Sequence, residues 1–120
     1  MYDYAAGVKQ NNFKAIKYYK KACNGGTTEG CLNLGNMYYN GKGVKQNSIK
    51  AAELWRKACD GRDAGGCFGL GMLYNIGIGV KQNFRKALQF YGKACNMRLE
   101  AGCKKYILLK KGYIWEVLVF

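Results

Sequence analysis

Cysteine is the residue whose type and spacing in this sequence most clearly indicate chemistry. Paired cysteines either form disulfides or ligate a metal ion such as zinc. Zinc sites usually combine closer cysteine spacings with histidine, and this sequence contains no histidine. Zinc binding is therefore the alternative that fits poorly, and we predict no metal site. Six cysteines, with seven residues between the partners of each pair, predict three disulfides, Cys23–Cys31, Cys59–Cys67 and Cys95–Cys103.

Catalytic nucleophiles are scarce. The one serine is Ser48, and Lys50 follows it two positions later, whereas serine β-lactamases require a Ser-x-x-Lys motif. Without histidine there is no Ser-His or Cys-His pair, and the seven aspartates and glutamates are scattered along the chain. The sequence thus holds no complete catalytic set, and we predict that Ser48, or Asn47 before it, caps the start of a helix, as Asn83 does one repeat later.

A fixed interval relates these residues and identifies the elements that position them. The letters Val-Lys-Gln-Asn begin at residues 8, 44 and 80, and the cysteines keep the same separation of 36 residues. Within each unit, apolar residues such as Ala15, Tyr19 and Ala22 have helical spacing, with lysines between them. The sequence predicts an all-α, α-solenoid fold of 36-residue helix-turn-helix repeats, with helices at about 12–23, 29–40, 48–59, 65–75, 84–95 and 100–111.

Glycine marks the connections between repeats. Gly41-Lys42-Gly43 and Gly77-Ile78-Gly79 provide the positive φ that a tight return to the next helix needs. A Gly-x-Gly segment without a preceding strand is a weak dinucleotide signal. We therefore interpret both segments as turns and predict no cofactor.

The repeat pattern divides the chain into a repeat array at residues 1–105 and an irregular tail at residues 106–120. Residues 1–8 align with residues 37–44, so we expect the first repeat to be truncated and the chain to begin within a helix. Tyr106 and Ile107 stand where the other repeats have leucine and glycine, and residues 113–120 match no repeat. We interpret this tail as a cap on the last repeat or as the product of a truncated or frameshifted gene.

Basic residues dominate the composition. Twenty lysines and arginines against seven acidic residues give a net charge of +13, spread along the whole chain. Such a spread is typical of solvated helix faces, with an anionic surface or nucleic acid as the alternative. No zinc-finger spacing, ribonucleoprotein motif or arginine-dense arm accompanies the charge, so we predict no specific nucleic-acid partner. We also predict no membrane span, because no apolar run approaches the roughly 20 residues that one needs.

The pattern Ala-x6-Ala-Cys-x7-Cys-x2-Leu-Gly-x2-Tyr-x2-Gly-x-Gly-Val resembles the Sel1-like repeat, a relative of the tetratricopeptide repeat. Its paired cysteines are similar to those of the helicobacter cysteine-rich proteins, and the resemblance covers residues 1–105. It implies a right-handed solenoid that is secreted or periplasmic. Some members of that family bind and slowly hydrolyse penicillin-type compounds, and others contact proteins, including those of a host.

The candidate binding surface is the concave face that stacked helix pairs create, lined by the helices at 29–40 and 65–75. We predict that the ligand-binding side chains are those that point away from the cysteine stripe of these helices, namely Asn33, Asn36, Tyr39, Asn40, Met72 and Asn75. Asparagine can bond to a peptide backbone without preference for charge. We assign the aromatic residues of the other helices to the core, namely Tyr18, Tyr19, Trp55, Phe90 and Tyr91.

Two functions follow from these observations. The first is a secreted scaffold that binds a peptide or protein ligand, a host protein among them. The alternative is a weak β-lactam-binding or β-lactam-hydrolysing protein, with β-lactams or cell-wall-derived molecules as partners, to which the sequence assigns no catalytic residue. Resemblance of fold does not by itself establish a site, so the first function has the better support.

Overall fold

The computed structural model describes the backbone of residues 4–112 and the side chains of residues 11–112. Within that range all regular structure is helical, which confirms the predicted all-α solenoid. The array is elongated, with principal extents of 55 × 28 × 24 Å. The predictions for residues 1–3 and 113–120 lie outside the described residues. Six helices follow one another, α1 Tyr4–Asn24, α2 Thr28–Asn40, α3 Ser48–Asp60, α4 Ala64–Ile76, α5 Phe84–Asn96 and α6 Glu100–Lys110.

The start of α1 differs from the expected one near residue 12. This helix begins at Tyr4 and continues through the segment that the repeat alignment equates with a turn. In the next unit the turn begins at Gly41, whose φ of 70° ends α2 in the left-handed region. Ala5 occupies the corresponding position in the first unit. Alanine is a strong helix former and is disfavoured in the left-handed region, so the helix continues.

Asparagine and aspartate side chains fix where three helices begin. Asn47 Oδ1 accepts a hydrogen bond of 3.0 Å from the backbone N–H of Lys50, and Asn83 Oδ1 does the same for Lys86. Asp63 caps α4 through a 3.0 Å bond from the N–H of Gly66. Of the two residues predicted to cap this helix, Asn47 is confirmed and Ser48 is wrong, because Asn47 satisfies the free N–H group and Ser48 is the first residue of α3.

The three predicted disulfides are present. Each joins the end of one helix to the start of the next, with Cα–Cα distances of 4.6, 4.5 and 4.5 Å for Cys23–Cys31, Cys59–Cys67 and Cys95–Cys103. The first two lie in the interior, where Leu54 of the second repeat packs near the first bridge. The bridges thus hold each helix pair at its turn and contribute to the packing between repeats.

Trp55 joins the first repeat to the second. A β-carbon on Gly35 of α2 would lie 2.6 Å from Trp55 Cδ1, and one on Gly69 of α4 would lie 2.8 Å from its Cε3. Only glycine permits the indole to approach both helices this closely. Tyr91 repeats the arrangement one unit later, because a β-carbon on Gly71 would lie 2.8 Å from its Cδ1.

The aromatic residues assigned to the core do not all lie there. Trp55, Phe90 and Tyr91 are 5%, 8% and 1% exposed, as predicted. Tyr19 is only half-buried and Tyr18 is 70% exposed. The assignment of Tyr18 to the core is wrong, because no described element covers the face of α1 that corresponds to the buried face of α3.

Candidate functional site

The first repeat contains a groove between α1 and α2 that widens into a cavity of about 380 Å³. Four asparagines from two helices and one loop lysine supply its polar lining, and three other side chains supply the rest. The complete lining is Asn12, Ala15, Tyr19, Asn33, Asn36, Met37, Asn40 and Lys42. Three of the predicted ligand-binding asparagines therefore share one surface.

The same helical spacing brings these residues together from both sides. On α1 they occur at positions 12, 15 and 19, and on α2 at positions 33, 36 and 40. Intervals of three and four residues place side chains on one face of a helix. Two antiparallel helices with this pattern on facing sides form a groove in which α2 carries a carboxamide at each turn and α1 carries one, Asn12.

A structural contact holds Asn36 in place. The indole Nε1–H of Trp55 donates to Asn36 Oδ1 at 3.1 Å and to the backbone oxygen of Leu32 at 3.2 Å. A tryptophan N–H usually has a partner when its ring is buried, and here the partner is a residue of the groove. The packing between repeats therefore fixes the orientation of one side chain of the cavity wall.

The groove continues along α2 towards the first disulfide. A second cavity of about 190 Å³ adjoins the first and shares Tyr19 and Asn33 with it. Its other lining residues are Tyr18, Ala22, Thr27, Glu29 and Gly30. The exposed Glu29 and Lys42 thus lie towards opposite ends of one groove, and carboxamides and tyrosine rings lie between them. We call this surface, with both cavities, the asparagine groove.

The remaining predicted residues lie against the core. The ring centroid of Tyr39 is 5.3 Å from that of Trp55, and Met72 packs against the second and third repeats. Asn75 is 1% exposed, and its backbone oxygen accepts a 2.8 Å hydrogen bond from Gln82 Nε2. These three residues are on the side of α2 and α4 that the next repeat covers, so the structure does not bring them to the asparagine groove.

Asn75 and Tyr91 form a buried polar pair. Burial raises the pKa of Tyr91 to about 12, and a side-chain hydrogen bond from Asn75 opposes part of that rise. Asn75 Oδ1 has no hydrogen-bond partner among the described residues. This pair lies at the joint between the second and third repeats, at the positions that Tyr39 and Trp55 occupy one unit earlier.

Sequence reasoning missed Asn12, Tyr19 and Lys42 as groove residues. Tyr19 was assigned to the core because its counterparts Trp55 and Tyr91 have the character of core residues. A usable signal was present at Asn33, whose counterpart in the next unit is Gly69. An asparagine in place of the glycine that receives an aromatic ring indicates that the ring of the first unit cannot close over α2.

The other candidates for chemistry have structural partners. Ser48 Oγ accepts a 2.7 Å hydrogen bond from Gln46 Nε2, and the Lys50 ammonium lies 5.6 Å from the ring centroid of Tyr38. Among the described residues no three histidine, cysteine or acidic side chains are grouped as metal ligands. None of the helices between residues 4 and 112 combines the length and the apolar character needed to cross a membrane.

Solved structures with this fold include two bacterial relatives. A cysteine-rich protein B of Helicobacter pylori is 39% identical, with a TM-score of 0.72 over 74% of this chain and 67% of that chain. A Sel1 repeat protein from Oxalobacter formigenes is 33% identical, with a TM-score of 0.69 over 71% of this chain and 35% of that chain.

A third solved structure is a protective antigen of uropathogenic Escherichia coli strains with an SLR fold. It is 29% identical, with a TM-score of 0.77 over 82% of this chain and 22% of that chain. Among sequences, "Putative beta-lactamase HcpE" from two strains of Helicobacter pylori is 54% identical over 35 residues. That match covers 28% of this chain and 10% of HcpE.

The family profile of the Sel1 repeat matches three consecutive segments of the chain, residues 1–27, 28–63 and 64–98. The second and third segments each begin at or beside the first residue of α2 or α4, so each boundary falls at a disulfide-bridged turn. Sequence profile, helix pairs and bridged turns therefore agree in register. The chain belongs to the Sel1 repeat family, and its paired cysteines relate it to the cysteine-rich proteins of Helicobacter.

Proposed function

We propose that this chain is a secreted Sel1 repeat scaffold that binds an extended segment of a peptide or protein ligand in the asparagine groove. The observation that carries the proposal is the convergence of Asn12, Asn33, Asn36 and Asn40 on one cavity. Three of these were expected on chemical grounds from the sequence, and the fourth comes from the facing helix.

The chemistry of the lining matches a peptide backbone. Each carboxamide offers two donors and an acceptor, which is the complement of a backbone that presents one donor and one acceptor per residue. Tyr19 and Met37 add apolar surface for the side chains of the ligand. The groove follows α2 from Glu29 to Asn40, about 16 Å at 1.5 Å per residue, which accommodates about five extended residues.

The two charges at the ends of the groove give it a direction. Lys42 favours an acidic residue or a carboxyl terminus at one end of the ligand, and Glu29 favours a basic residue or an amino terminus at the other. Both are exposed, so they contribute orientation more than affinity. The expected ligand is a segment of about five residues with a basic residue or its amino terminus beside Glu29 and an acidic residue or its carboxyl terminus beside Lys42.

Secretion rests on the cysteines. All six are bridged, and disulfides of this kind persist in oxidising compartments such as the periplasm or the extracellular space. The similarity to the Helicobacter cysteine-rich proteins, which share this fold, agrees with an extracytoplasmic location. A protein placed there meets partners from outside the cell, which include proteins of a host.

The test begins with selection of peptides from a random library on the oxidised chain. Dissociation constants of a selected peptide are then measured by fluorescence anisotropy. We expect Asn33→Ala and Asn40→Ala each to weaken binding about fivefold, the effect of one neutral hydrogen bond. Asn11→Ala is the matched control, because Asn11 neighbours Asn12 in sequence but is exposed and does not line the cavity. Equal affinities for all of these variants would show that the peptide binds elsewhere.

A second candidate function is weak binding or hydrolysis of β-lactams, and the resemblance to HcpE favours it. The groove offers one carboxylate, Glu29, as a general base that takes a proton from a water molecule while the water oxygen attacks the β-lactam carbonyl and the C–N bond of the ring breaks. For this function we expect nitrocefin turnover to scale with protein concentration, to disappear on unfolding, and to fall in Glu29→Gln. Turnover that survives unfolding or is unchanged by this substitution would remove the groove from this function.

A further inference from the structure

The two connections between repeats form one long edge of the array. Residues 41–47 and 77–83 lead into the starts of α3 and α5. Each loop rests on the preceding repeat, because a β-carbon on Gly43 would lie 2.8 Å from Asn12 Cβ, and one on Gly79 would meet the backbone oxygen of Ser48. We call residues 41–50 and 76–86 the loop edge. The disulfide edge, at the other end of the helices, comprises residues 24–29, 60–65 and 96–101.

Charge divides the two edges sharply. The disulfide edge mixes four acidic and two basic residues, namely Glu29, Asp60, Asp63, Glu100, Arg62 and Arg98. The loop edge contains no acidic residue and six basic ones, all exposed, namely Lys42, Lys45, Lys50, Lys81, Arg85 and Lys86. A basic surface without interspersed acids attracts anions more strongly than the mixed charge of an ordinary solvated face.

Tyrosine rings position two of these cations. Lys50 Nζ lies 5.6 Å from the ring centroid of Tyr38, and Lys86 Nζ lies 5.3 Å from that of Tyr74. The two pairs are 36 residues apart and therefore repeat along the edge. The contacts reduce the freedom of both side chains and keep two ammonium groups at corresponding places on the surface.

Exposed apolar side chains lie among the cations. Ile49 is 62% exposed, Ile76 41%, Ile78 37% and Phe84 36%. Ile49 and Ile78 line one shallow cavity of about 660 Å³ together with Val80 and Lys81. Single exposed apolar residues need no explanation, but four on one edge that also carries six exposed cations have the composition of surfaces that lie in a membrane interface.

We propose that the loop edge binds the surface of an anionic phospholipid membrane. The five cations other than Lys42, which belongs to the asparagine groove, face the headgroup phosphates, and Ile49, Ile78 and Phe84 enter the boundary with the acyl chains. Nucleic acid fits less well, because a phosphate backbone gives these apolar side chains nothing to contact. Bound in this way, the array stands on one long edge, and the asparagine groove remains available between α1 and α2.

The experiment uses the full oxidised chain and co-sedimentation with vesicles of phosphatidylcholine, alone or with roughly a third phosphatidylglycerol. We expect binding to the anionic vesicles only. Lys81→Gln/Lys86→Gln should weaken it about tenfold or more, because each cation near a charged leaflet contributes about fivefold. Ile49→Ser/Ile78→Ser leaves the charge unchanged and should weaken it about fivefold by removing apolar contact.

The matched control is Lys21→Gln/Lys57→Gln, which removes the same charge from exposed positions in the last turns of α1 and α3. Vesicle binding of this variant should stay within about twofold of the original. An equal loss in the control would show that diffuse net charge drives binding. Insensitivity to the two serines, with equal binding to duplex DNA, would assign the edge to polyanions in general. Circular dichroism establishes that each variant is folded. The proposal is overturned by either of these two results, or by the absence of binding to anionic vesicles.

Discussion

Equivalent positions in the first and second repeats have different roles: they are packed in the second repeat and line a groove in the first. In the second repeat Trp55 lies over Gly69 and the space between α3 and α4 is filled. In the first repeat the corresponding residues are Tyr19 and Asn33, and both line the asparagine groove. The two exchanges, glycine for asparagine and tryptophan for tyrosine, accompany a change from a packed position to a groove position, without change in helix or disulfide.

The contrast also explains why the two repeats should differ in stability. Trp55 is 5% exposed and bonds to the preceding repeat, whereas Tyr18 and Tyr19 are exposed and half-buried. In a solenoid, stability is approximately a sum of terms for each repeat and for each interface between neighbours. The first repeat therefore depends on the interface that Trp55 makes, while the second has interfaces on both sides.

The largest expected effect is that of Trp55→Ala. Removing a buried tryptophan that joins two repeats should lower the free energy of unfolding by about 3–5 kcal/mol. Tyr19→Ala, at the corresponding position of the first repeat, should cost about 1 kcal/mol because its ring already contacts solvent. Urea denaturation midpoints measure both. Similar losses of unfolding free energy in the two variants would contradict the conclusion that Trp55 packs in the core and Tyr19 lines the groove.

Removal of one disulfide at a time tests whether the bridge of the second repeat contributes most to stability. Each bridge closes a loop of the same length, with a sequence separation of 8, so the chain-entropy term is about 2–3 kcal/mol for all three. Cys59→Ala/Cys67→Ala should cost the most, because both cysteines belong to the large core cluster, whereas the equally buried first pair lies in a small one. The half-buried third pair should cost the least. Thermal unfolding of the double alanine variants gives the order, and a reversed order would mean that burial does not decide it.

The pH dependence of stability tests the burial of Tyr91, which occupies the position of Trp55 in the third repeat. The pKa of Tyr91 rises from 10.0 to about 12 on folding, so the unfolded chain loses its phenol proton first as pH increases. Stability from this group is complete below pH 10.0 and declines as the pH approaches 12. The whole shift corresponds to about 2–3 kcal/mol. Tyr91→Phe should remove this part of the alkaline decline, and an unchanged pH profile would contradict it.

The prediction that bears most directly on the groove concerns Gly69 and Asn33, which occupy equivalent positions in the second and first repeats. Gly69→Asn places a β-carbon 2.8 Å from the Trp55 ring, and the displacement that follows should cost about 1–3 kcal/mol. The reverse change, Asn33→Gly, should cost at most about 1 kcal/mol, the penalty for glycine within a helix. Unfolding midpoints of the two variants decide it. Equal tolerance at both positions would mean that Trp55 moves aside easily and that the groove is not a special feature of the first repeat.

The sequence predicts the helices and the bridges because these depend on local rules that occur three times in register. A helix face, a capping asparagine and a cysteine pair can each be recognised within one repeat and checked against the next. The start of α1 departs from the repeat pattern because Ala5 stands where the next unit has the turn glycine Gly41. Local propensity decided the outcome there.

The site was only half predictable for a different reason. Helical spacing gives the direction of each α2 side chain around the axis, but it does not say which neighbour covers that direction. Asn33 and Asn40 face α1, whereas Tyr39 faces Trp55 of the next repeat. Asn36 does both, because it lines the groove and accepts from the indole. The assignment of such residues requires the angle between successive helices, which periodicity does not contain.

The smallest expected effect concerns the N-cap residues of α2 and α3. Asn47 caps α3 with its side chain, whereas Thr27, at the N-cap position of α2, makes no side-chain cap hydrogen bond. Asn47→Ala should therefore lower the free energy of unfolding by about 1 kcal/mol, and Thr27→Ala by a few tenths. Hydrogen exchange at the first amides of each helix is the most direct measurement. We expect faster exchange at the Lys50 amide only in Asn47→Ala. A comparable change at the start of α2 in Thr27→Ala would show that the first repeat is held at its turn by more than its disulfide.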